Sequence, residues 1–166
     1  MKYKILAVTV PIVIAFDQWT KHLILLHFRL GESRPVFQGI FNLTYVQNSG
    51  AAFSFLNDAP QWFRGPFFII VPGIILSVLT YLFIKLPTAS RSWVALAFSL
   101  IAGGAVGNII DRLQFGYVVD FLHFYWHEHY WPMFNVADSC IVVGVMIMLW
   151  DSFRNSPKRL HREYSR

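Results

Sequence analysis

The sequence predicts an α-helical polytopic membrane protein. It reads as one domain, residues 1–166, with four transmembrane helices, both termini cytoplasmic, and a small β-sheet and an interfacial helix on the outer side. Three observations predict this. Hydrophobic residues make up 55% of the chain and charged residues only 14%, against roughly 25% charged in a soluble domain. Four apolar stretches reach the length of about 20 residues that a spanning helix needs. Lysines and arginines fall unevenly between alternate connections, which sets orientation. The same figures, with a mean hydropathy of +0.46, exclude a disordered chain, an ordinary soluble enzyme and a disulfide-stapled module. The one cysteine cannot form an intrachain disulfide.

The first stretch, residues 5–26, follows Lys2 and Lys4 and so has the start of a signal peptide. It lacks a small-x-small cleavage site, and Leu23-Ile24-Leu25-Leu26 extends it to spanning length, so it reads as an uncleaved helix. Residues 27–65 follow as an outer segment. Phe41, Leu43 and Tyr45 alternate there with Asn42 and Thr44, the period of a strand. Asn48-Ser49-Gly50 reads as a turn, and residues 51–55 as a returning strand. Helices are expected over 66–84 and 92–113. The second outer segment, 114–135, holds Tyr117, Phe121, Phe124, Tyr125, Trp126, Tyr130 and Trp131. Aromatics with a polar tip favour the headgroup level, so part of this segment is expected to lie there as an amphipathic helix. The last helix covers 136–153, and a basic tail runs over 154–166.

One side of the membrane collects Lys2, Lys4, Lys85, Arg91, Arg154, Lys158, Arg159, Arg162 and Arg166; the other has Arg29, Arg34 and Arg64. The net charge of +5 therefore reports topology rather than nucleic-acid binding. The tail is expected against anionic headgroups.

Ionisable residues inside a span cost a few kcal/mol each by insertion scales, about 2.5–3.5 at the centre, and mark functional sites. The first helix carries Asp17 and Lys21, four apart and able to pair. The third carries Gly104, Asn108, Asp111 and Arg112 on one face. Asn135 and Asp138 open the fourth, and Asp120 lies just beyond the third. With the orientation above, all of these fall in the outer leaflet. Asp17–Lys21 reads equally as a neutralising pair or as part of a site. Asp111–Arg112 beside Asn108 reads equally as scaffold or as pocket lining. Gly103 and Gly107 read as close packing positions. Asp120 and Asp138 have no cation adjacent in sequence and are the candidates for chemistry.

Two carboxylates in one partly dry site share a proton, because like charges held close do not both ionise easily. Such a pair performs both halves of a hydrolysis. Asp138, at a helix start, is favoured as the ionised base, although a coupled pair titrates as a unit. Other chemistries fit less well. His123, His127, Glu128 and His129 cluster, but His-Glu-x-x-His is broken by Trp131. Cys140 would point about 200° away from Asp138 on a helix. A proton-coupled carrier would need acids in both leaflets, and the second helix has no polar stripe. An assembly factor would use these polar residues only to pair helices.

Five motifs in order resemble those of the lipoprotein signal peptidases, the signal peptidase II family of the bacterial inner membrane. They are Phe16-Asp17-Gln18-Trp19-Thr20-Lys21, Asn48-Ser49-Gly50-Ala51-Ala52-Phe53, Gly103-Gly104-Ala105-Val106-Gly107-Asn108-Ile109-Ile110-Asp111-Arg112, Val118-Val119-Asp120-Phe121 and Phe134-Asn135-Val136-Ala137-Asp138-Ser139. The resemblance covers about residues 5 to 153. It implies an aspartyl endopeptidase without metal or other cofactor, with Asp120 and Asp138 as the catalytic pair. Asp17, Lys21, Asn48, Gly104, Asn108, Asp111, Arg112 and Asn135 match the motif positions around the pocket. It implies as substrates prolipoproteins already carrying a diacylglyceryl group on a cysteine, cut just before that cysteine, and inhibition by the cyclic peptide globomycin. It also implies an outer β-cradle, an outer interfacial helix and a site facing the periplasm. Nothing in the sequence calls for an oligomer.

Overall fold

The computed structural model describes residues 1–50, 60–87 and 91–154. Four long helices dominate: α1 (Lys2–His27), α2 (Gln61–Lys85), α3 (Ser92–Phe115) and α4 (Val136–Arg154). Three of them, over Trp62–Lys85, Ser92–Phe115 and Val136–Arg154, are long and apolar enough to cross a membrane. The helix α1 matches their length but carries Lys2, Lys4, Asp17 and Lys21. Pro11 sits inside it without ending it.

The helix α3 is the centre of the bundle, packed against α1, α4 and α2. Glycine makes the close approaches. A Cβ at Gly103 would lie 2.8 Å from that of Val13 on α1. One at Gly104 would strike the Ala137 carbonyl at the start of α4. On α4, Gly144 gives the same access to Ala97 and Ile101. Meanwhile α2 turns Ile70, Ile74 and Val78 outward, as a helix facing lipid does. Its C-terminus is tied down from α1: Lys2 Nζ donates to the carbonyls of Phe83 (2.9 Å), Ile84 (3.0 Å) and Leu86 (2.6 Å). A buried ammonium thus satisfies carbonyls that a helix end leaves open.

Between the helices lies one antiparallel sheet in the order β1 (Ser33–Phe37), β2 (Phe41–Asn48), β3 (Val118–Trp126), β4 (His129–Tyr130). The strand expected around 41–45 is present as β2. The amphipathic helix expected within 114–135 is not: Val118–Trp126 and His129–Tyr130 of that segment form β3 and β4. The run Val118-Val119-Asp120-Phe121-Leu122-His123-Phe124-Tyr125-Trp126 is β-branched and aromatic, which suits a pleated surface. An interfacial preference read from the aromatics alone carries no information on backbone form. The partner of β2 is β3, some 70 residues on, with β1 on its other edge. The expected strand at 51–55 and the basic tail after Arg154 lie outside the described residues.

Gly116 ends α3. Its φ of 78° is left-handed, and its N–H reaches Arg112 O at 3.0 Å, so the chain turns sharply into β3. Ile24 of α1, Tyr45, Val119 and Phe121 then form a buried apolar cluster that seats the sheet on the end of α1.

The pairing of β2 with β3 slips between Leu43 and Val46. Leu43 faces Leu122, but Val46 faces Asp120, so three steps on β2 match two on β3. This bulge switches the side to which later residues point. Asn48 consequently shares a face with Asp120.

The Gly104 approach carries a prediction. Gly104→Ala should lower stability by about 1–3 kcal/mol, the usual cost of overpacking, because a helix backbone must move. Thermal unfolding in detergent measures this.

Candidate functional site

The site is built on a buried ion network below the sheet. Lys21 is 2% exposed and Asp17 is fully buried. Lys21 Nζ bonds Asp17 Oδ2 (2.8 Å), Asp111 Oδ2 (2.9 Å) and Asn108 Oδ1 (2.9 Å). An ammonium has three donors and no acceptor, and here all three are used. Each acid has a second task. Asp17 Oδ1 accepts the Ala137 N–H at 2.9 Å, near the N-terminus of α4. Asp111 Oδ2 accepts the Val119 N–H at 3.0 Å, at the start of β3. Gln18 closes the group, donating to Asp111 Oδ1 at 2.7 Å and to the Gly107 carbonyl at 3.2 Å. Gly107 leaves space for this: a Cβ there would lie 2.6 Å from Asp17 Oδ2.

Above that network stand Asp120 and Asp138, linked by Asn135. Asp120 Oδ1 accepts from Asn135 Nδ2 (2.7 Å) and Oδ2 from Asn48 Nδ2 (2.8 Å). Asp138 Oδ1 accepts from Asn108 Nδ2 (2.7 Å) and Oδ2 from the Asn135 N–H (3.2 Å). Asn135 Oδ1 in turn accepts the Asp138 N–H at 3.0 Å. Asn135 and Asp138 therefore make a reciprocal capping box at the start of α4. Helix capping and acid positioning are one set of bonds here. Burial, with Asp138 beside it, pushes the Asp120 carboxyl up from 3.8 to about 7. Near neutral pH this acid holds a proton for much of the time.

Both acids line a cavity of about 640 Å³. Asn48, Asn108, Arg112 and Ser139 add to its polar lining. Its apolar walls come from Val118, from residues 131–134 and from Ile141, Val142 and Val143 of α4. Val142 and Val143 are 60% and 51% exposed, so the cavity continues onto the outward face of α4. Arg112 does not pair with Asp111. Its guanidinium reaches the carbonyls of Gly50 (3.4 Å) and Asn108 (3.5 Å) and lies over the Phe68 ring. The group that the sequence read equally as scaffold or lining thus divides: Asp111 is buried in the network and Arg112 faces the cavity.

Of the ten residues picked out by sequence, five line the cavity: Asn48, Asn108, Arg112, Asp120 and Asp138. Asn135 lies directly behind the two acids. Asp17, Lys21 and Asp111 form the layer beneath, and Gly104 is the contact with α4 at Ala137. The sequence reading missed Gln18 as a member of the network, although its place beside Asp17 was a usable signal. The sequence reading named Trp131 as an interfacial aromatic and Phe134 as the start of a motif, but not 131–134 as a cavity wall, where Phe134 pairs with Leu122 through two backbone bonds of 2.8 and 3.2 Å. His123 is engaged with Thr44 Oγ1 at 3.2 Å and packs on Tyr130. Among the described residues no three His, Cys, Asp or Glu side chains group as metal ligands.

A family model described as signal peptidase (SPase) II matches residues 9–154. The chain belongs to the signal peptidase II family. Proteins named lipoprotein signal peptidase are similar to it over most of their length. That of Shewanella oneidensis is 45% identical over 147 residues, 89% of this chain and 85% of the relative. That of Geobacter metallireducens is 43% identical over 157 residues, 95% of both chains. A solved bacterial membrane enzyme superimposes with a TM-score of 0.81 at 35% identity, covering 92% of this chain and 90% of that one. As a member of signal peptidase II, the chain is a membrane peptidase.

Two measurements test the site of this signal peptidase II member. The raised Asp120 value means that the folded chain holds more protons than the unfolded one between pH 4 and 7. The stability this contributes is full below about 4 and is lost as pH rises through about 7. Asp120→Asn should remove that part of the decline, seen by comparing unfolding temperatures at both ends of the range. Among the described residues, Arg112→Ala removes two long bonds to carbonyls and the contact with the Phe68 ring, and no ion pair. It should leave folded yield near normal while slowing cleavage at least tenfold.

Proposed function

We propose that the chain hydrolyses the peptide bond just before the lipidated cysteine of diacylglyceryl-modified prolipoproteins, as an aspartic endopeptidase of the bacterial inner membrane. The observation that carries this reading is the pair Asp120 and Asp138 on one cavity, tied to the same Asn135 and given only N–H donors among the described residues. The family supports it through relatives named for lipoprotein signal peptidase activity.

In this mechanism one proton is shared by the pair. Asp120, whose carboxyl is raised to about 7, holds it and donates to the scissile carbonyl oxygen. Asp138, at the N-terminal end of α4, takes a proton from water as the water oxygen attacks the carbonyl carbon. When the tetrahedral intermediate collapses, the C–N bond breaks. The leaving amine takes the proton from Asp138, and the diol proton returns to Asp120. The pair ends as it began, and no metal or cofactor enters.

The substrate's acyl chains stay in the bilayer, so the bond must be cut near a membrane surface. The helix α1 is read as a fourth span, with both termini cytoplasmic and the chain working as one domain. The acids then fall in the outer leaflet, facing the periplasm. The apolar cavity wall on Val142 and Val143 would meet acyl chains from the lipid side. Asn48, Asn108 and Arg112 would hold the peptide backbone, and a cyclic peptide such as globomycin would occupy the same cavity.

The test is a gel-shift cleavage assay in detergent with EDTA present. Wild type should cleave the lipidated precursor and spare its unlipidated form. Asp120→Asn and Asp138→Asn should each lose about a hundredfold or more. The rate should also fall as pH rises through about 7, where Asp120 gives up its proton. Cleavage that survives both substitutions, or none by well-folded wild type, overturns the reading.

A further inference from the structure

Lys21 is a cation that the cavity does not touch. It is 2% exposed and is absent from the lining. One of its three hydrogen bonds nevertheless goes to a group that is on the lining. Asn108 Oδ1 accepts from Lys21 Nζ at 2.9 Å and from Asn135 Nδ2 at 3.2 Å. The other end of that amide, Nδ2, donates to Asp138 Oδ1 at 2.7 Å.

An amide has two nearly isosteric ends with opposite hydrogen-bonding roles. Rotating Asn108 by half a turn would set its N–H against an ammonium that only donates. It would also set its oxygen against a carboxylate that, when ionised, only accepts. Lys21, with the longer bond from Asn135 Nδ2 beside it, therefore sets which end of Asn108 meets Asp138. The other bonds of Lys21 hold it in place: Asp17 and Asp111 lie on either side, each buried and each anchored to backbone.

We propose that Lys21 is a positioning residue for the hydrolysis. By fixing the orientation of the Asn108 amide, it keeps a donor on Asp138 and so keeps that carboxylate aimed for its work on water. This rests on the two-aspartate reading above. It assigns Lys21 no contact with substrate, which distinguishes it from a pocket residue. A misplacement of about 1 Å in such a group costs about a hundredfold in rate.

The experiment uses full-length enzyme and diacylglyceryl-modified prolipoprotein in detergent. Lys21→Met leaves two buried carboxylates facing each other, so the main variant is Lys21→Met/Asp111→Asn, which keeps the net charge of the network. Asp111→Asn alone is its control. Folded protein is quantified by gel filtration and melting, and kcat and KM are taken per folded molecule. The expected result is a kcat about ten- to a hundredfold below the control, with KM within about threefold. In an Asn108→Ala background, where no amide remains to orient, the Lys21 change should lower kcat by less than about threefold, since groups acting through one another are not additive.

A kcat equal to the control overturns the proposal. So do losses that multiply in full with that of Asn108→Ala, or a fall in substrate affinity with kcat unchanged. If neither Lys21 variant yields folded protein, Lys21 serves the fold alone and the proposal is likewise overturned. Failure of the two-aspartate reading is a separate result: Asp138→Asn would then cleave at the wild-type rate.

Discussion

The arrangement depends on one buried ammonium with three acceptors. Lys21 Nζ lies between carboxylates from α1 and α3. Those two acids also take backbone N–H groups from α4 and β3. Three helices and the sheet are thus tied within a few ångströms, in a part of the molecule whose apolar surroundings offer little water. An unpaired charge there would cost several kcal/mol, whereas the network leaves no charge alone. Among the described residues, no buried side-chain nitrogen or oxygen lacks a hydrogen-bond partner.

The order of the bonds explains why the site has two layers. The lower layer is one cation held between two carboxylates, and none of the three meets the cavity. The upper layer consists of two acids whose partners among the described residues are neutral amides: three asparagine side chains and one peptide N–H. A cation bonded directly to either carboxylate would hold it ionised and prevent the sharing of a proton. The asparagines pass on the direction of the lower layer without its full charge. Gly104 and Gly107 belong to the same design, because α4 and Asp17 reach α3 only where a side chain is missing.

Much of this was legible in the sequence, for a physical reason. Apolar length places helices, and a polar or ionisable residue in an apolar run stands out, so Asp17, Lys21, Asn108, Asp111, Asn135 and Asp138 were visible at once. The spacing of Asp17 and Lys21 implied their pairing, and the structure has it at 2.8 Å. The sheet was harder. The alternation in 41–45 revealed a strand but not its partner, since β3 lies beyond two helices. The aromatics of 115–134 showed an affinity for interfaces, which a strand and a helix satisfy equally. Lys2 enters the sequence reading only as a charge on one side of the membrane, whereas the structure buries it as a cap on α2. Topology rules register only which end of a helix a lysine occupies, not whether it faces water.

The bulge in β2 has an evolutionary consequence. Strand residues have a parity, and the extra residue between Leu43 and Val46 changes it once, shortly before Asn48. Everything on the hairpin side of the bulge can gain or lose residues at the β1–β2 tip without disturbing the acid. The few positions between bulge and Asn48 behave instead like a reading frame: a single insertion or deletion turns the amide to the opposite side of the sheet, whatever the amino acids. Among relatives, length should therefore drift freely at that tip and stay fixed across the short stretch from Val46 to Asn48. The constraint falls on residue count rather than residue type, and a profile of substitutions alone would overlook it.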